Sequence, residues 1–397
     1  MVPTPMTTNG NQQQPDFQLI DNNDALKEFC NSISRNDYLI VDTEFLREKT
    51  YYPELCLVQL KQRERLACVD MLAVDDPAPL EALMLDETLT KVFHAASQDM
   101  EIFVMLFKKA PAPVFDTQIA APLLGYQDQI GYGNLVKAML NINLGKAHTR
   151  ADWTRRPLPE QQIQYALDDV IHLENIYLQL RQRLEEKARL HWLDDAFTDL
   201  SDVKKYDRPA AQQWQRLRAA TQMKGKQLAT LQALAEWREL QARERNKPKN
   251  WVLKDDAITD LAKQRPTSLT ELSHVRSVTK PIVDKLGDKL IAVISDATHR
   301  EPEPLPPFIR QEKPDTETQV VIEALSAVVA AVAIKNDIHP SQIASRKELH
   351  QCVINGDGSA LGSWQRTLAG DSIMSFLKGE YLLSCIDGRI ALVPDRG

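Results

Sequence analysis

The sequence predicts an α/β domain, a mixed sheet flanked by helices, followed by one or two all-helical domains. Three observations point there. The first 200 residues open with three short apolar runs of strand length and then switch to alternating strand and helix periods. Beyond residue 202 the apolar patterns are helical. Five prolines within residues 301–314 then separate two helical units, because proline resists helix interiors and favours extended chain.

Element by element, residues 1–16 are rich in Pro, Thr, Gln and Asn without the basic and apolar blocks of a signal peptide, and are expected to form a disordered leader. A helix is expected over 24–34, and strands over 38–41, 55–60 and 66–69, each bounded by charged or turn residues as in an antiparallel meander. Residues 92–94 and 114–116 read as two further strands. Between them Met100, Phe103, Val104 and Phe107 recur at helical spacing. A loop with Gly125, Gly131 and Gly133 leads to a helix over 135–140, and after Pro157 and Pro159 a long helix should run from 160 past 180. The domains follow as 17–202, a helical unit over 210–297 (helices over 214–220, 227–246, 255–263, 268–272 and 280–294), a linker over 301–314 and a last helical unit over 315–397.

The 397 residues amount to two or three domains at about 150 residues each. The net charge of −7 argues against a mainly electrostatic nucleic-acid wrapper. Five scattered cysteines with no Cys-x-x-Cys argue against a disulfide framework or a zinc knuckle, and fit a reducing cytoplasm. The longest apolar stretch, 320–334, is short of the roughly 20 residues that span a bilayer and reads as a buried helix, so no membrane is expected.

Three segments could carry chemistry. Asp42 and Glu44 end the first strand two residues apart, so both carboxylates project from one face of the sheet. Tyr165 and Asp169, four apart, share a helical face. His94 to Asp99 passes from a strand through small residues into a helix. Singly these are weak signals: with 55 acidic residues, chance alone supplies about eight acidic pairs at the first spacing. A serine nucleophile is disfavoured because no Gly-x-Ser-x-Gly elbow is present. Together, the oxygen-only donors Asp42, Glu44, Asp99 and Asp169 match Mg²⁺ or Mn²⁺, and two such ions about 3.5–4 Å apart suit phosphodiester hydrolysis.

In this order and spacing, LIVDTEFLREKTYYPELCLVQL, VFHAASQDMEIF, FDTQIAAPLLGY, ADWTRRPL and YALDDVIHL resemble the ribonuclease D family, in the tyrosine-bearing branch of the DEDD exonucleases. The resemblance covers about residues 17–200. It implies a ribonuclease-H-like fold and carries the catalytic set onto Asp42, Glu44, Asp99, Tyr165 and Asp169, with the four carboxylates as ligands to two divalent ions. Gln98 departs from the pattern, standing where an acidic residue is expected. Residues 210–297 resemble the HRDC module, and 315–397 would be a divergent second copy. The resemblance further implies 3′→5′ exoribonuclease activity releasing nucleoside 5′-monophosphates, tRNA precursors with 3′ extensions as main substrates, and no obligate protein partner.

Basic residues are unevenly spread. Residues 137–156 hold five basic residues against one acidic, a candidate phosphate track; with His94 added, Arg150, Trp153, Arg155 and Arg156 are RNA-binding candidates, Trp153 reading equally as a stacking surface or as core. Residues 203–226 and 238–254 are also basic and could make the helical module an RNA-docking arm. Two other readings remain open: a 3′→5′ exodeoxyribonuclease using the same five residues, since acidic clusters do not read the 2′-hydroxyl, and a catalytically inactive RNA-binding adaptor.

Overall fold

The computed structural model describes residues 16–144, 151–306 and 313–395. Strands β1 (Gln18–Ile20), β2 (Tyr38–Leu46), β3 (Glu54–Gln62), β4 (Arg65–Asp70), β5 (Thr90–Phe93) and β6 (Val114–Asp116) form one sheet in the order β1-β4-β3-β2-β5-β6. The β2-β3-β4 meander is antiparallel. The outer pairs β1/β4, β2/β5 and β5/β6 are parallel. Helices α1 (Asn23–Ser32), α2 (Ala78–Met84) and α3 (Ser97–Phe107) cover one face, and α4 (Thr117–Ala120), α5 (Tyr132–Leu140) and α6 (Glu160–Glu186) the other.

Strand alternation sets which face each residue serves. Leu39 and Val41 join Val58, Leu60, Ala67, Val69, Met100 and Phe103 under α1–α3. Tyr38 and Ile40 join Leu57, Leu66 and Cys68 under Ala166, Leu167 and Val170 of α6. Asp42 and Glu44 continue the second series, so they emerge toward α6 at the strand's end. The register of α6 against the meander is fixed by Glu174, 9% exposed, which accepts from Tyr38 Oη (2.9 Å) and Arg63 N (2.6 Å) and pairs with Lys61 Nζ (2.8 Å).

A separate core, with Trp214, Leu231, Leu234, Ile258, Leu261, Leu272, Leu290 and Ile294, organises the helices of residues 210–297. The segment expected as a helix over 214–220 is two 3-10 stretches, Ala210–Arg216 and Arg218–Gln222, interrupted at Leu217, whose backbone is extended. Of the linker over 301–314, residues 307–312 lie outside the described residues, as does all but the last residue of the leader over 1–16.

The last unit corrects two expectations. It is not all-helical. After helices Thr316–Lys335, Arg346–Asn355 and Asp371–Leu377, strands β7 (Tyr381–Ile386) and β8 (Arg389–Pro394) form an antiparallel hairpin. Its signal is Asp387-Gly388 between two apolar runs, and both residues take the positive φ (48° and 73°) that a two-residue hairpin turn requires. Second, Thr316–Lys335 is a 20-residue helix with a mean hydropathy of 1.7, long and apolar enough by length and composition to cross a membrane, with a third of that stretch buried. Its Ile322, Leu325, Val328, Val329 and Ala333 belong to the same core as α6. Arg189 ties the two together, donating to Leu123 O (2.9 Å) and Asn336 O (2.6 Å), and Trp192 stacks on Trp364 with ring centroids 4.3 Å apart.

Candidate active site

Asp42, Glu44 and Asp169 each offer a carboxylate oxygen within 4.8 Å of the others. Two segments 125 residues apart meet here because β2 delivers two acids to the α6 face and the Glu174 anchor, little more than one helical turn beyond Asp169, sets the helix against the strand. A bulge between Glu44 and Phe45 ends the regular β2/β3 register just past the pair. All three side chains are half-buried.

Asp99 stands outside that trio. It lies in the first turn of α3, 7% exposed, and accepts from Thr43 Oγ1 at 2.5 Å. Its approach is set by Asp116 at the end of β6, whose carboxylate accepts from Ala95 N (3.0 Å), Ala96 N (2.8 Å) and Gln118 N (2.8 Å). These bonds shape the tight turn from β5 into α3, in which Ala95 has φ 61°. Tyr165, one helical turn before Asp169, donates to its carboxylate and packs on Trp153 with centroids 6.2 Å apart.

The electrostatics are those of like charges crowded out of water. Burial, then the charge of Asp169, holds Asp42 well above the usual carboxylate range. Burial pushes Glu44 up to about 9, with Asp42, Asp169 and Asp99 adding to the shift. Asp169 rises to about 7 through burial and its neighbour Asp168, against the hydrogen bond from Tyr165. Asp99 is raised by burial and by Asp42, against the bond from Thr43. No Lys or Arg figures among the causes of these four shifts. Four hard oxygen donors with no cationic partner among the described residues fit a divalent cation of the Mg²⁺ or Mn²⁺ type.

The proposed RNA contacts fare differently. Trp153 is 4% exposed and offers no face to solvent; of its two readings the structure takes core over stacking surface. Arg156, though exposed, is paired with Asp70 at 2.5 Å through Nε and donates to Trp153 O (2.8 Å) and Cys56 O (3.2 Å), so its guanidinium fastens the segment that carries Trp153. His94 is half-buried, its Nδ1 2.9 Å from Thr117 Oγ1 and its ring against Tyr132. Arg155 is exposed, and Arg150 lies outside the described residues. Of the six basic residues in 238–254, Arg238 is 6% exposed and bound to Asp255, while Arg243 and Lys249 pair with Glu239. Half of that charge therefore holds structure together.

Two residues went unnoticed in the sequence. Thr43, inside Asp-x-Glu, holds Asp99, and its position between the two acids was the available signal. Tyr132 donates to Asp168 O (2.9 Å), and burial followed by the charges of Asp169 and Asp42 holds its phenol well above the usual range. Nothing in its glycine-flanked loop marked it.

The family model for the 3′-5′ exonuclease domain matches residues 17–185, and that for the HRDC domain matches 227–294. Ribonuclease D of Granulibacter bethesdensis is 35% identical, covering 97% of this chain and 98% of its own length. Ribonuclease D of Pseudomonas paraeruginosa is 34% identical over 92% and 98%. Among solved structures, Escherichia coli RNase D, an exoribonuclease involved in structured RNA processing, matches with a TM-score of 0.78 at 28% identity, over 92% of this chain and 99% of that one. With such identity along nearly the whole of both chains, this protein belongs to the ribonuclease D family and is a 3′-5′ exoribonuclease.

Proposed function

We propose that the enzyme trims single-stranded RNA 3′ ends and releases nucleoside 5′-monophosphates, with two divalent ions, Mg²⁺ or Mn²⁺, and with tRNA precursors carrying 3′ extensions as its main substrates. The observation that carries this reading is the convergence of Asp42, Glu44 and Asp169, with no Lys or Arg among the described residues lowering their pKa values. When bound, such ions supply activation of a water on one side of the scissile phosphodiester and charge stabilisation of the leaving oxygen on the other. Asp42 would be the ligand shared by both ions, Glu44 and Asp169 would complete one site, and Asp99, held aside by Thr43, would serve the other. Tyr165 places its phenol at Asp169, where its hydroxyl would orient the attacking water.

The tRNA assignment is supported by the relation to E. coli RNase D, which acts in structured RNA processing. Residues 17–202 form the exonuclease domain, 210–297 an HRDC domain and 315–397 a third unit of helices closed by the β7–β8 hairpin, joined by the proline-rich segment. The test is product analysis of a 3′-extended tRNA and a matched DNA strand, with and without chelator. Stepwise shortening of the RNA from its 3′ end, 5′-monophosphate products and loss of both with chelator are expected. Chelator-resistant cleavage, internal cuts or preference for the DNA would overturn the proposal.

A further inference from the structure

Beside the carboxylate trio lies a side chain to which the reading above gives no role. Gln59, in the middle of β3, is fully buried, and neither its Nε2 nor its Oε1 has a hydrogen-bond partner. An amide buried without partners costs about 1–3 kcal/mol, so its place in the sheet's interior calls for a physical reason. The register supplies one. Gln59 is the direct antiparallel partner of Asp42 on β2 and of Cys68 on β4. Directly opposed residues share a face, with Cβ atoms about 4.5–5.5 Å apart. Gln59 therefore lies between the Asp42 carboxyl and the Cys68 thiol, on the face that α6 covers with the apolar Ala166, Leu167 and Val170. The electrostatics agree: after burial, the charge of Asp42 is what raises the Cys68 thiol, so the two groups flanking Gln59 sense one another across it.

We infer that Gln59 is a positioning residue for Asp42: once a cation is bound, its Nε2 would donate to the carboxylate oxygen that faces away from the cation and its Oε1 would accept the Cys68 S–H. The inference rests on the reading of Asp42 as a metal ligand. A charged donor here would compete with the cation for Asp42. A neutral amide does not: it orients the carboxylate and leaves its charge in place. Groups that orient a metal ligand in this way typically account for 10–100-fold in metal affinity or activity. Both orphaned atoms then have a complementary neighbour, donor to carboxylate and acceptor from thiol, each one strand away.

The test is Gln59→Met, which keeps length and approximate volume and removes the polar atoms, with Gln59→Leu as a second variant. Mn²⁺ binding is followed by electron paramagnetic resonance on the full chain without RNA, alongside thermal melting of the metal-free protein. An idle orphaned amide predicts unchanged Mn²⁺ affinity and a higher melting temperature. The inference predicts Mn²⁺ affinity weakened about 10-fold in both variants while the metal-free fold is retained or gains stability. Affinity within twofold of the parent would overturn it, as would loss of folding in both variants, since the amide makes no bond in the metal-free fold. Asp42→Asn is the control that separates the two ideas. If that variant binds Mn²⁺ as the parent does, the metal reading itself fails; if it loses Mn²⁺ and Gln59→Met does not, only the role of Gln59 falls.

Discussion

Two buried acidic sites in this molecule are built on opposite plans. At the junction of the exonuclease domain with the HRDC domain, Glu239 is 1% exposed, yet its pKa lies below the usual range. Burial alone would push it up; Lys249 at 2.7 Å, the Tyr51 hydroxyl and Arg243 at 3.0 Å more than reverse that. Asn246 completes the junction by accepting from Tyr51 N and Tyr52 N, both at 3.0 Å. In the trio of Asp42, Glu44 and Asp169 the same physics runs uncompensated, and all three are raised. A carboxylate buried to hold domains together brings its cations in the sequence. One buried among other acids, as in the proposed metal site, would leave the cation to be supplied from solution.

The two sites should differ most at Asp42. Asp42→Asn removes the shared ligand and should lower turnover at least about 10³-fold, several kcal/mol of transition-state stabilisation, while RNA binding by filter retention persists and the metal-free fold becomes no less stable. Glu239→Gln should do the reverse. With Lys249 and Arg243 left facing a neutral group, urea unfolding of the domain pair should show a loss of about 3 kcal/mol, the low end for breaking a buried ion pair, because both cations are partly solvated. Metal affinity should hardly change. Tyr165→Phe removes one hydroxyl from the site and should slow single-turnover hydrolysis about 10²-fold with Mn²⁺ affinity retained.

The smallest effect follows from linkage. Groups such as Glu44 and Asp169, whose folded pKa exceeds the unfolded value, contribute stability that is complete below the unfolded pKa and is lost as pH rises through the folded values, about 7 for Asp169 and about 9 for Glu44. The metal-free protein should therefore lose melting temperature between pH 6 and 9 from this site, and saturating Mg²⁺ should restore more of it at pH 8.5 than at pH 6. Asp42→Asn should flatten that difference.

The five candidate residues were legible because period-two and period-3.6 spacing pair Asp42 with Glu44 and Tyr165 with Asp169, and because five motifs in fixed order resemble the ribonuclease D pattern where any one alone is a weak signal. The meander, β5, β6 and the long α6 were readable for the same reason: their apolar runs are long or cleanly bounded. β1 escaped, since three residues carry no period and its pairing with β4 is parallel and nonlocal. The C-terminal hairpin escaped although Asp387-Gly388 announced it. Basic runs misled because a charge count does not see pairing: Arg156, Arg238, Arg243 and Lys249 are each matched by an acid far along the chain or one helical turn away. Trp153 was ambiguous in sequence for the reason aromatics usually are, being equally suited to a core and to a stacking surface.

Burial and mutual repulsion raise the carboxyls of this cluster, so a divalent ion that binds them should displace protons. Calorimetric titration of the metal-free enzyme with Mn²⁺ at pH 7, in buffers of different ionisation enthalpy, counts those protons. At least one should be released per chain, with neither release nor binding heat in Asp42→Asn. Metal binding that displaces none would show these acids already ionised and refute the cluster as an uncompensated metal site.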